Sequence, residues 1–130
     1  MSDLPPEDLP PGLRAFLYSC IDGVEQVEIL SCLARSGRAW TAWAAAGELG
    51  LSDVSARHHL ETLAARGLLT ITVDAEVSYA YAPKTADLKG YADDLVARYG
   101  RSRTAVLRFI AANPRRIKRF SDAFKLRDQE

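Results

Sequence analysis

The sequence predicts a mainly α-helical chain with one small β-hairpin, and three observations carry that prediction. Apolar residues recur at helical spacing through most of the 130 positions. Two short runs rich in Thr, Val, Ile and Tyr, LLTITV and VSYAYAP, interrupt that spacing once. Turn-forming residues stand at the joints, above all Gly37, Gly50, Gly67 and Pro83.

The first helix is expected over residues 13–35. Phe16, Leu17, Ile21, Val24, Val27, Ile29, Leu30 and Leu33 crowd one broad side, as a core helix requires, and Gly37 ends it. On that single helix Cys20 and Cys32 lie twelve residues apart, about 18 Å along the axis. No disulfide spans that distance, so both are expected to be buried free thiols. Thr41 is the N-cap of a short helix, Ala42–Leu49, which closes at Gly50. Trp40 and Trp43 flank its start, and both are expected to serve packing.

Ser52 caps the next helix, residues 52–66, with Gly67 at the position just past its end. The two strand-like runs follow, separated by Asp74, Ala75 and Glu76, a length that suits a short hairpin. Beyond Pro83 the helical spacing resumes. Leu88, Tyr91, Leu95 and Tyr99 form one stripe, Val106, Leu107 and Ile110 continue it, and Ile117, Phe120 and Phe124 share a face after Pro114. Residues 1–12 are expected to be a flexible polar tail, residues 13–83 the folded domain, and residues 84–130 a C-terminal helical segment that dimerises.

Composition removes several function classes. The chain is 48% hydrophobic and 26% charged, ordinary for a globular protein, and has no uninterrupted apolar run of membrane-spanning length. The acidic, four-proline start MSDLPPEDLPPG lacks the features of a signal peptide, and a cytoplasmic location is expected. The net charge of zero hides an asymmetry: residues 1–97 hold seven Lys/Arg against fourteen Asp/Glu, and residues 98–130 hold ten against three. That excludes a uniformly basic nucleic-acid binder and leaves a basic C-terminal quarter. No phosphate-binding glycine loop and no nucleophile–base motif is present, and no enzymatic activity or cofactor is expected.

Long helix, short helix, four-residue turn, helix and hairpin is the element order of a winged helix-turn-helix domain. Residues 44–69, AAAGELGLSDVSARHHLETLAARGLL, resemble the helix-turn-helix of the MarR and ArsR groups of bacterial transcriptional regulators. The matching residues are Leu49, Gly50, Leu51, Ser52, Leu60, Leu63, Gly67, Leu68 and Leu69, and the resemblance extends over residues 13–83. It implies a winged helix-turn-helix whose third helix enters the major groove of double-stranded DNA. It also implies a homodimer formed through flanking helices, with paired helices about 34 Å apart.

Placing residues at 100° steps along the third helix, with Ala56, Leu60 and Leu63 inward, turns Val54, Arg57, His58, Glu61 and Ala65 outward. Ser55 and Thr62 fall on one flank, and His59 at the margin of the buried face. Arg57 is then the expected reader of a base edge, because its fork matches guanine O6 and N7. His58, Ser55 and Thr62 would assist, and Ser52 at the helix start would hold a phosphate. Arg115, Arg116 and Arg119 are candidate phosphate contacts beside the groove. Adjacent histidines with no Cys or further His nearby do not make a metal site, although ArsR-like proteins often bind metals. The acidic hairpin tip, Asp74 and Glu76, with Asp53 and Glu61 on the helix, motivates an alternative: a winged-helix protein–protein adaptor that does not bind DNA.

Overall fold

The computed structural model describes residues 9–112, and these form a mostly helical fold with a small three-stranded antiparallel sheet. In chain order the elements are α1 (Pro11–Cys20), α2 (Val24–Ser36), β1 (Trp40–Thr41), α3 (Ala42–Leu49), α4 (Asp53–Ala65), β2 (Leu69–Val73), β3 (Val77–Tyr81), α5 (Ala86–Arg101) and α6 (Arg103–Ala111). The expected Ile117, Phe120 and Phe124 face, together with Arg115, Arg116 and Arg119, lies outside the described residues.

Residues 13–35 are not one helix. α1 stops at Cys20 and α2 starts at Val24, and the backbone of Gly23 is fully extended between them. The apolar spacing runs straight across the break, which is why periodicity alone misses it. The local cause is the Asp22–Gly23 pair, a turn-forming dipeptide. The Asp22 N–H donates to Oε1 of Gln26 at 2.9 Å, a side-chain bond that caps the new helix from inside. Cys20 and Cys32 therefore sit on different helices, and both are half-buried and outside any disulfide. Helical structure also begins at Pro11 rather than Leu13, and Leu9 is already buried.

α3 and α4 follow the expected bounds. Thr41 Oγ1 accepts from the Ala44 N–H at 3.1 Å, and Ser52 Oγ accepts from the Ser55 N–H at 3.0 Å. Each satisfies a donor that the first helical turn leaves without a partner. At the far end of α4, Gly67 takes φ +86°. There the Leu68 N–H reaches the Leu63 carbonyl and the Gly67 N–H reaches that of Ala64, both at 3.0 Å. This paired closure needs a residue at positive φ, and glycine supplies it without a Cβ penalty.

The sheet has the order β1-β3-β2. The hairpin has continuous register from Leu69↔Tyr81 to Val73↔Val77, and β1 adds Trp40↔Tyr79 and Thr41↔Ser78. At two residues, β1 is too short for any sequence pattern to announce. One hydrophobic core joins all layers, with Leu13, Leu17, Leu30, Leu33, Leu60, Leu63 and Leu95 fully buried within it. Val106, Phe109 and Ile110 of α6 are spent on this same core, where Phe109 meets Tyr18 of α1 edge-on at 5.6 Å. Glu28 on α2 accepts from Arg103 at 2.7 Å and from the Tyr99 hydroxyl at 3.2 Å, which ties the C-terminal helices to the front of the fold. Among the described residues no helix is long and apolar enough to cross a membrane.

Candidate functional site

α4 presents two unlike sides. Towards α2 it carries His59 and, just past its end, Arg66. The Gln26 side chain is fully buried, and its Oε1 is committed to the Asp22 N–H, so its amide nitrogen is left to donate. That nitrogen lies 3.2 Å from His59 Nδ1, and His59 Nε2 lies 2.9 Å from Glu25 Oε1. The network therefore assigns the neutral imidazole its proton on Nε2, donating to Glu25. Arg66 donates to the Cys20 carbonyl at 2.8 Å and to Asp22 Oδ1 at 3.1 Å, holding the α1–α2 turn against α4.

The other side of α4 is open. Ala56, Leu60 and Leu63 are fully buried, whereas Asp53, Val54, Arg57, His58 and Glu61 are exposed. Ser55 and Thr62 are half-buried on the flanks. Arg57 lines a groove of about 520 Å³ with Thr41, Ala42 and Trp43 of the β1–α3 junction and Glu76, Val77 and Tyr79 of the hairpin. Arg57 forms no ion pair among the described residues. Its charge does act on Tyr79: burial and the Glu61 carboxylate push that phenol above its usual value, and Arg57 opposes the shift. The His58 ring stands 5.4 Å from that of His59, exposed beside Arg57.

The structure thus brings Arg57 and His58 together on one exposed surface, with Ser55 and Thr62 at its flanks. Ser52 is less free than expected, because its oxygen already caps α4, and Asp53 in the first turn adds negative charge where a phosphate would sit. Among the described residues no cluster of three or more His, Cys, Asp or Glu is placed to hold a metal ion.

One expectation about the tryptophans is overturned. Trp40 is a core residue whose indole N–H donates to Ser36 Oγ at 2.8 Å, with the Arg38 guanidinium 4.0 Å from its ring centroid. Trp43 is 75% exposed and lies outside the core. The cause is helical phase. Ala45 and Ala46 take the inward positions of α3, so Trp43 at its second residue is turned out. It forms a ridge between the Arg57 groove and a second bay of about 460 Å³ lined by Gly47, Glu48, Leu51 and Asp53 among others. Val54 at 73% exposure continues the apolar surface along α4. Trp43 and Tyr79 are the site residues that the sequence pattern did not single out. The available signal was an aromatic at an outward phase of a helix whose inward positions are alanine.

No protein-family model, characterised protein or solved structure matches the chain.

Proposed function

We propose that the protein is a DNA-binding transcriptional regulator of the winged helix-turn-helix class, acting as a homodimer that places α4 in the major groove of double-stranded DNA. The observation that carries this reading is Arg57: a guanidinium without an ion pair among the described residues, on the exposed face of a helix. A short helix and a β-hairpin flank that face, in the order such domains use. Arg57 supplies the bidentate base contact, and His58, Ser55 and Thr62 flank it. Ser52 offers its remaining O–H to a phosphate, and Arg115, Arg116 and Arg119 add phosphate contacts from the basic C-terminal segment.

The test is titration of the full chain against genomic fragments over a salt series. Selective binding is expected, with a loss of roughly tenfold or more for Arg57→Ala at the preferred sequence. Absence of binding at low salt would exclude the reading.

A second reading, a winged-helix adaptor for another protein, is favoured by a specific observation. The open side of α4 and the nearby hairpin tip carry Asp53, Glu61, Asp74 and Glu76 against Arg57 alone, and Trp43 and Val54 are exposed among them. DNA contact requires cations to displace condensed counterions, and acids here weaken it. A stoichiometric protein complex indifferent to competitor DNA would favour the adaptor.

A further inference from the structure

β2 is an edge strand, hydrogen-bonded to β3 on one side only. Natural edges are usually blunted by lysine, proline, a bulge or an overlying segment. Among the described residues none of these operates along Thr70, Ile71, Thr72 and Val73: all four are exposed, none is charged, and the register with β3 has no bulge. Ile71 is 47% exposed and Val73 72% exposed, so apolar surface accompanies the open main chain.

The bonding phase is also settled. The Ala82 N–H donates to the Leu68 carbonyl and the Asp74 N–H to that of Glu76, so residues 68, 70, 72 and 74 form the bonded pairs across the hairpin. Pairs alternate in an antiparallel ladder, so Leu69, Ile71 and Val73 turn their N–H and C=O groups away from β3; Leu69 is buried, and Ile71 and Val73 stand on the exposed stretch. The strand LTITV is nearly a palindrome of residue type. Antiparallel pairing of β2 with a second β2 about a two-fold axis at Ile71 sets Ile71 against the partner's Ile71. It also sets Thr70 against the partner's Thr72, and Leu69 against the partner's Val73. Every cross-strand pair is then aliphatic with aliphatic or threonine with threonine, the combinations that stabilise sheets. In that register the central pair of Ile71 residues exchanges two main-chain hydrogen bonds.

Charge points to the same occupant. In this pairing Asp74, one step beyond Val73, comes opposite the base of the partner's hairpin, at its Gly67–Leu68. The Lys84 side chain lies over Gly67, its Cδ 3.5 Å from where a Cβ at Gly67 would stand, and Lys84 is exposed. The acidic tip, unfavourable to a phosphate backbone, is complementary to that lysine.

We infer that β2 is a self-association edge: two copies of this chain join β2 to β2 antiparallel about Ile71, forming one continuous six-stranded sheet with the acidic tip of each hairpin beside Lys84 of the other. The axis stands perpendicular to the joined sheet, so both α4 helices remain on the same face of it. The inference does not depend on DNA binding.

Sedimentation velocity of the full chain, without nucleic acid and over a concentration series, tests it. The unaltered chain is expected to dimerise. Ile71→Lys and Ile71→Glu each place like charges face to face, and each should raise the dimer dissociation constant roughly tenfold or more. Because position 71 meets itself, mixing the two variants in equal amounts should restore the dimer. Val73→Lys, at a more exposed site, should weaken the dimer with the melting temperature and far-UV circular dichroism of the monomer preserved. A chain that stays monomeric throughout overturns the inference. So does a dimer indifferent to Ile71→Lys and Val73→Lys, or a mixture that stays monomeric.

Discussion

The two sides of α4 are built on opposite principles. On the side facing α2, polar side chains are bonded to one another: Gln26 bridges Asp22 and His59, His59 reaches Glu25, and Arg66 closes onto Cys20 and Asp22. On the open side, apolar groups stand in solvent: Trp43, Val54 and, further along the hairpin, Ile71 and Val73. Folding alone rewards the first arrangement, because a buried polar atom is tolerated only when it is bonded. Folding gains nothing from the second. The closed side is a structural seam, and the open side consists of residues that stability does not explain.

That contrast breaks most sharply at Gln26. Gln26→Ala removes the side-chain acceptor of the Asp22 N–H and the amide beside His59 Nδ1, and opens a cavity between α2 and α4. A loss of roughly 2–4 kcal/mol is expected in urea denaturation. A change below about 0.5 kcal/mol, the usual size for an unremarkable surface site, would show that the seam does not stabilise the fold. A smaller loss is expected at the joint between the two sides. Gly67→Ala must hold φ +86° and bring a Cβ within 3.3 Å of Leu88 Cδ1, so a cost of about 1–2 kcal/mol should appear in the same experiment. The smallest effect belongs to the open side. Trp43→Ser should move stability by no more than about 0.5 kcal/mol in either direction. If it destabilises the chain as Gln26→Ala does, the indole has a packing role and the comparison fails.

Much of this architecture was legible because the signals were local. Thr41, Ser52, Gly50 and Gly67 mark the ends of α3 and α4 by hydrogen bonds and backbone angles that reach only a few residues. The inward set Ala56, Leu60 and Leu63 followed from helical phase, as did the exposure of Arg57 and His58 and the marginal place of His59. What escaped was non-local. His59 needs Glu25 and Gln26, more than thirty residues away, and no periodicity announces that meeting. The break at Asp22–Gly23 was masked by apolar residues that remain in phase on both sides of it. β1 exists only because β3 offers it an edge. The exposure of Trp43 runs against the general habit of tryptophan, and a residue type is a poor guide where a helix has already filled its inner face with alanine. The α5–α6 stripe was read as apolar correctly, and its described part turns out to be engaged with α1 and α2 of its own chain.

The two tryptophans, three residues apart, sit in contrasting surroundings. Trp40 is enclosed, its ring nitrogen held by Ser36 and its face covered by Arg38, whereas Trp43 stands in water on the ridge between the two concavities. The chain therefore carries a paired optical gauge. Emission from the enclosed indole tracks the integrity of the core. Emission from the outer one, red-shifted and open to collisional quenchers, tracks whatever comes to rest against the groove. A molecule that docks beside Arg57 would announce itself in the second colour without disturbing the first.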